Sequence, residues 1–161
     1  MTASTISKEL IAALNEQMAK EAHLSQTYLS YGGWADAQGF SGIANFLFGN
    51  AQREHDHMMK ILGYILDNRA KICVTGIPAP PEDPTDINSC FEKILVHNAD
   101  NSRALLMIEK ICFTENDWTT WNFIQWLVKD MGDEERVVRA LLEEFRRADD
   151  SLNDKVLFSL N

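Results

Sequence analysis

The sequence predicts an all-α protein, a bundle of four long helices with one long crossover between the second helix and the third. Two observations predict this fold class. All four prolines lie in one segment, TGIPAPPEDPTD, whereas the chain on either side is free of proline over long spans, as long helices require. Within those spans apolar residues recur at alternating three- and four-residue intervals, the pattern of helices that pack at a shallow angle.

Turn and capping residues set the limits of the four helices. Gly39 is a stop signal after the first helix, Ser41 can cap the second, and Asp117 can cap the fourth. The third helix can open at Asn88 or Ser89. The predicted helices cover approximately residues 7–36, 41–68, 88–113 and 118–148. We expect residues 1–161 to form a single domain, with at most a short terminal piece in SLNDKVLFSLN.

Composition and charge restrict the function classes. A net charge of −9 over 161 residues argues against a nucleic-acid or anionic-membrane partner and is compatible with binding of cations. The three cysteines have no paired spacing, which fits a reducing compartment better than a disulfide framework. There is no apolar run of membrane-spanning length and no signal-peptide pattern at the N-terminus, so we expect a cytoplasmic protein.

Acidic residues interrupt the predicted inward-facing stripes near the middle of three helices. Glu21 lies on the first stripe, Glu54 and His57 lie on the second, and Glu134 lies on the fourth. Buried carboxylates repel one another and are costly to desolvate. Because the stripes carry no Lys or Arg at the same height, a bound cation is the simplest explanation.

The residue types indicate which metals such a site would take. Glu54 and His57 are three residues apart, so they share one face of a helix and can reach one ion. Carboxylates with one imidazole suit iron(II), manganese or zinc. A lone Glu-x-x-His pair is more often a solvated surface pair, and the convergence of acids from three helices is what favours metal binding. Packing is the simpler role for His97 and for Tyr28, although the Tyr28 hydroxyl can also reach the metal site.

Three segments resemble the bacterial non-haem ferritins, in order and over nearly the whole chain. They are LNEQMAKEAHLSQTYLS in the first predicted helix, NAQREHDHMMKILGYI in the second and WNFIQWLVKDMGDEE in the fourth. The resemblance implies the ferritin-like four-helix bundle, which ends in a short fifth helix that DKVLFSLN could only begin. It also implies a homo-oligomeric shell of twenty-four copies that oxidises iron(II) with dioxygen or peroxide and stores iron(III).

Residue by residue, the resemblance implies a site for two iron ions. Glu21, Glu54 and His57 match the first iron site, and Glu54 matches the acid that bridges both ions. Glu134 matches a carboxylate of the second site, and Tyr28 matches a tyrosine beside the centre. Zinc and manganese are further ions that this ligand set would take in vitro.

The chain departs from the ferritin pattern at the second site. Asn98 stands where the family has a glutamate, and Met131 stands where it has a glutamine. An amide is a poorer ligand than a carboxylate, and a thioether is a poor ligand for hard iron. Arg53 replaces an acid of an accessory third site, near which Asp130 and Asp133 remain acidic. We therefore expect an intact first site and a weakened second one, with Asn98, Asp130 and Asp133 as further candidate ligands.

Two functions stay open at this point. The leading hypothesis is an iron-storage protein with ferroxidase activity, slowed by the weakened second site. The alternative, which Asn98 and Met131 motivate, is a structural ferritin subunit that binds metal with little or no turnover. Haem ligation by His55, where haem-binding relatives carry a methionine, is a minor alternative. A metal-dependent oxygenase or a peroxide-handling enzyme on the same bundle ranks last, because nothing indicates a pocket for an organic substrate.

Overall fold

A computed structural model describes residues 6–148, and these form four helices, as predicted. The helices are α1 (Lys8–Ala37), α2 (Ser41–Asp67), α3 (Ile87–Glu115) and α4 (Trp118–Arg147). The expected terminal piece falls in residues 149–161, which lie outside the described part of the chain. All three cysteines are free thiols, as predicted. Within residues 6–148, no helix has both the length and the apolar character to cross a membrane.

Side-chain caps explain where α1 and α4 begin. Ser7 Oγ accepts a hydrogen bond from the backbone N–H of Leu10 at 3.1 Å. Asp117 Oδ1 accepts one from the backbone N–H of Thr120 at 2.9 Å, which confirms the predicted cap of α4. Both bonds satisfy N–H groups that have no partner within the first helical turn.

The starts of α2 and α3 correct the sequence expectation. α3 begins at Ile87, because Asp86 accepts a hydrogen bond from the backbone N–H of Ser89 at 2.7 Å and so caps the helix earlier. The residue at the cap of α2 is Phe40, which makes no side-chain capping bond. Ser41 is therefore the first helical residue of α2 and not its cap.

The crossover carries the chain from one end of the bundle to the other. α1 and α2 join through a tight turn in which Gly39 has a φ of +87°, a conformation that strongly favours glycine. Residues 68–86 then run along the bundle, so that α3 begins beside the C-terminal half of α1. Asn15 fastens this segment to α1, because its side chain donates to the carbonyl of Lys71 at 3.0 Å and accepts from the N–H of Cys73 at 2.7 Å.

A buried polar layer divides the core into two apolar clusters. The cluster near the α1–α2 turn includes Tyr31, Leu47, Phe91 and Phe145. The cluster at the opposite end includes Leu14, Ile61, Leu105 and Leu127. The polar layer between them includes Gln17, Glu21, Glu54, His57, Asn98, Asn101 and Glu134. Apolar burial on both sides stabilises the helices, so the layer between them can hold groups that are costly to bury.

Candidate metal centre

The four helices bring six of the eight predicted site residues together in the polar layer. Each helix supplies at least one of them: Glu21 and Tyr28 from α1, Glu54 and His57 from α2, Asn98 from α3, and Glu134 from α4. None of these six residues is more than 3% exposed. Water therefore has little access to the layer, and interactions between its charges are stronger than they would be at the surface.

Glu21, Glu54 and His57 form a cluster of potential metal ligands. One donor atom from each lies within 4.8 Å of the others, a geometry that no other trio of His, Cys, Asp or Glu attains within residues 6–148. His57 Nδ1 lies 3.0 Å from Glu54 Oε2 and 3.6 Å from Glu21 Oε2. The three-residue spacing puts Glu54 and His57 on the face of α2 that meets Glu21 of α1.

Burial and the short distances between the carboxyl groups of the centre shift their pKa values. Burial raises the pKa of Glu54, and the negative charges of Glu134 and Glu21 raise it further. Burial also raises the pKa of Glu134. Burial acts in the same direction on Glu21, but contacts with His57 and Glu54 hold its pKa below the ordinary value. The metal-free centre therefore retains protons, which a bound cation would displace.

Several buried oxygen atoms of the centre have no hydrogen-bond partner within residues 6–148. They are Glu21 Oε2, Glu54 Oε1, Glu134 Oε2 and Asn98 Oδ1. Buried polar atoms in proteins are normally paired, so unpaired oxygens that gather between four helices fit a bound cation. Carboxylate oxygens together with one imidazole nitrogen are donors that suit iron(II).

The α3–α4 side of the centre offers fewer strong ligands than the α1–α2 side. Asn98 and Met131 are buried on the inward stripes, as predicted, with exposed fractions of 0% and 1%. Tyr28 donates its hydroxyl hydrogen to Glu134 Oε1 at 2.8 Å. Burial, together with the charge of Glu134, raises the pKa of Tyr28 well above its ordinary value, so the phenol keeps its proton. Glu134 is thus the one buried carboxylate that α3 and α4 contribute within residues 6–148.

Asp130 lies beside the centre, where both its carboxylate oxygens contact protein groups. It accepts hydrogen bonds from Arg53 Nε at 2.9 Å and from Arg53 Nη2 at 2.6 Å, and its Oδ2 lies 2.5 Å from His57 Nε2. These partners, Arg53 foremost, hold the pKa of Asp130 far below its ordinary range. A carboxylate on the outer nitrogen of a histidine orients the ring, and here it leaves Nδ1 facing Glu21 and Glu54.

Asp133, the remaining predicted ligand, is engaged on the surface of its own helix. It pairs with Lys129 at 2.9 Å and with Arg136, both on α4, at the spacings that favour ion pairs along a helix. The structure therefore does not bring Asp130 or Asp133 into the ligand cluster, because neighbouring cations already occupy their carboxylates.

Sequence reasoning missed two amides that support Glu21. Gln17 donates to Glu21 Oε1 at 3.0 Å and to Asn101 Oδ1 at 2.6 Å, and Asn101 donates to Glu21 Oε1 at 3.2 Å. A signal was present in the spacing, since Gln17 lies one turn before Glu21 and Asn101 lies one turn after Asn98. These bonds fix one oxygen of Glu21 and leave Oε2 facing the cluster.

Comparison with known proteins agrees with this fold. Residues 11–148 match the ferritin family, described as a ferritin-like domain. The bacterial non-heme ferritin of Campylobacter jejuni is 28% identical over 88% of this chain and 84% of that protein. The bacterial non-heme ferritin of Staphylococcus saprophyticus is 29% identical over 95% of this chain and 92% of that protein. The crystal structure of an open pore ferritin from Archaeoglobus fulgidus superposes with a TM-score of 0.91 at 25% identity, and covers 95% of this chain and 98% of that one.

Proposed function

Since the chain belongs to the ferritin family, we propose that it stores iron and oxidises iron(II) to iron(III) at the buried centre. The observation that carries the proposal is the cluster of Glu21, Glu54 and His57, whose donor atoms lie within 4.8 Å of one another. Oxygen donors with one imidazole suit iron(II), and their burial keeps competing ligands and bulk water away. Iron is both the substrate and the cargo in this proposal.

Each carboxylate has a distinct part in binding the iron substrate. Glu21, Glu54 and His57 Nδ1 bind the first iron(II) ion. Glu54 Oε1 and Glu134 Oε2, which lack partners, are left for a second ion, so Glu54 lies between the two positions. Binding releases the protons that burial keeps on Glu54 and Glu134. Two iron(II) ions then give two electrons to one dioxygen, which takes up two protons and becomes hydrogen peroxide; peroxide is the alternative oxidant.

Three further residues position the ligands and do not contact iron. Asp130 accepts a hydrogen bond from the Nε2–H group of His57, which leaves Nδ1 unprotonated and directed at the first ion. Arg53 holds Asp130 in that position with two hydrogen bonds. Tyr28 donates to Glu134 Oε1, which leaves Oε2 of the same carboxylate for the second ion.

Oxygen uptake after addition of iron(II) tests the proposal. Glu54→Ala removes the ligand that both ion positions share, and we expect the oxidation rate to fall by at least about 100-fold, since loss of even a supporting residue costs about 10- to 100-fold. His55→Ala is the matched control, because His55 is the exposed neighbour of Glu54 and lies outside the ligand cluster. Equal rates in wild-type and Glu54→Ala protein would locate oxidation elsewhere.

A structural ferritin subunit with little turnover is the second candidate function. Asn98 and Met131 favour it, because they leave Glu134 as the one buried carboxylate that α3 and α4 contribute within residues 6–148. Anaerobic titration with iron(II), followed by exposure to oxygen, separates the two candidates. If one ion binds per chain and no oxygen is consumed, the protein is a structural subunit. If two ions bind and oxygen is consumed, it is a ferroxidase.

The assembly we propose is a homo-oligomeric shell of twenty-four copies in the cytoplasm. Family membership supports the shell, and so do large apolar side chains on the outer faces of the helices. Examples are Leu29, Val96, Met107 and Phe113, with exposed fractions between 45% and 60%. Sedimentation velocity measures the assembly directly, and a monomer at micromolar concentration would contradict it.

A further inference from the structure

A cavity lies between α1 and α3, beside the candidate centre. Its volume is about 340 Å³, and it is lined by Lys20, His23, Leu24, His97, Asp100 and Asn101. Two imidazole side chains, one from each helix, thus share one cavity. The proposed oxidation of iron uses neither of them.

The two histidines meet edge to face. The ring centroids of His23 and His97 lie 6.5 Å apart, with an angle of 85° between the ring planes. His23 Nδ1 is buried and has no hydrogen-bond partner within residues 6–148. A neutral imidazole has one ring nitrogen without a proton, and that nitrogen can act as a metal ligand.

We infer that His23 and His97 bind one divalent transition-metal ion, with zinc(II) as the best fit, at a site separate from the iron centre. Imidazole nitrogen is a preferred ligand of zinc and of its neighbours in the first transition series. Zinc lies about 2 Å from a bound imidazole nitrogen and hence about 3 Å from the ring centre, so two rings at a tetrahedral angle on one ion have centroids about 5 Å apart. The observed separation of 6.5 Å is longer than this, so side-chain rotations that draw the two rings together are needed to bring both nitrogens to one ion.

The charged groups around His23 and His97 determine how tightly the pair binds a divalent cation. Asp100 lines the cavity and can supply a third ligand, with water as the fourth, once it leaves its surface ion pair with Arg103. Lys20 also lines the cavity, and Lys93 lies near His97; both ammonium groups repel a cation. Lys20 is exposed, so its flexible chain can turn the charge into solvent. We therefore expect weaker binding than at the carboxylate-rich centre.

The histidine site and the iron centre can be separated by mutation. Asn101 lines the cavity and also donates to Glu21 Oε1 at 3.2 Å. Its side chain therefore lies between the histidine site and the iron centre. Glu54 belongs to α2 and does not line the cavity. Loss of Glu54 therefore removes the shared ligand of the centre and leaves His23 and His97 unchanged.

Calorimetric titration of Glu54→Ala protein with zinc(II) tests the inference. We expect one ion to bind per chain, and we expect the added substitutions His23→Ala and His97→Ala to weaken this binding by at least about tenfold. His55→Ala in the same background is the control, because it removes an exposed imidazole that does not line the cavity. Its zinc affinity should equal that of the Glu54→Ala parent.

Two results would overturn the inference: no zinc binding by Glu54→Ala protein, or equal binding after both histidines are removed. Circular dichroism checks that the variants fold. If the double histidine variant does not fold, His23→Ala alone decides, because His23 is only partly buried. Iron oxidation by His23→Ala protein with Glu54 intact reports on the proposed ferroxidase separately, so the two proposals can fail independently.

Discussion

The two sides of the candidate centre are equally buried and chemically unequal. On the α1–α2 side, two carboxylates and an imidazole place their donor atoms within 4.8 Å of one another. On the α3–α4 side, the corresponding inward positions hold Glu134, the amide of Asn98 and the thioether of Met131. The fold supplies buried positions on both sides, and the residue type at each position decides whether a cation is held there.

The supporting hydrogen bonds follow the same division. Glu21 is fixed by two amides, and His57 is fixed by Asp130. On the other side, Tyr28 supports Glu134, whereas both polar side-chain atoms of Asn98 lack a hydrogen-bond partner within residues 6–148. Ligands that are held in place before the ion arrives lose less freedom on binding, so we expect one tight ion and one loose ion.

The strongest test compares one carboxylate from each side. Glu21→Gln should weaken binding of the first ion by at least about 100-fold, because a ligand matters more than the supporting groups, whose loss costs about 10- to 100-fold. Glu134→Gln should leave the first ion in place and remove the second. Cobalt(II) titration followed by absorbance measures both. If the two variants lose the first ion equally, the division into a tight and a loose side is wrong.

Removal of the support of His57 should have the next largest effect. Asp130→Asn keeps the size of the side chain but weakens its acceptance of the Nε2 proton, and we expect metal affinity to fall by about 10- to 100-fold. Asp133→Asn, on the surface of the same helix, is the matched control and should leave affinity unchanged. A shifted cobalt(II) spectrum in the Asp130 variant would distinguish a reoriented imidazole from a general loss of stability.

Addition of a carboxylate to the α3–α4 side should reduce the difference in ion binding between the two sides. Asn98→Glu gives α3 an anionic ligand, and we expect iron oxidation to accelerate by roughly tenfold, the effect of about 1.4 kcal/mol in ion binding. Asn98→Gln is the control, since it has nearly the same size and no charge. An unchanged rate in the glutamate variant would mean that the second ion is held by other groups.

The buried positions of the candidate ligands could be predicted from short-range sequence patterns, but the contacts of Asp130 could not. The inward stripes depend on a period of three to four residues, so they placed Glu21, Glu54, His57 and Glu134 correctly in the interior. The pairing of Arg53 with Asp130 joins residues 77 positions apart. Whether a carboxylate takes a metal ion or a neighbouring cation depends on such contacts, which no periodicity encodes.

The smallest expected effect concerns Glu54, which both sides share. Burial, with Glu134 and Glu21, raises its pKa above the ordinary value. A raised pKa in the folded state contributes stability below the unfolded pKa, about 4.3, and this contribution is lost as pH rises. At neutral pH, metal-free Glu54→Gln protein should therefore be more stable than wild type by on the order of 1 kcal/mol in free energy of unfolding. It should accordingly unfold at a higher temperature.

Thermal melts of metal-free protein at pH 4 and pH 7 measure this difference. The advantage of Glu54→Gln should shrink toward pH 4, where the wild-type carboxyl is protonated in the folded state and mostly protonated in the unfolded state. Addition of iron(II) under anaerobic conditions should reverse the order, since a ligand that binds the native state stabilises it and the variant lacks the shared carboxylate. A metal-free variant that melts below wild type at pH 7 would mean that Glu54 stabilises the fold as an anion, and the two sides would then not need a cation between them.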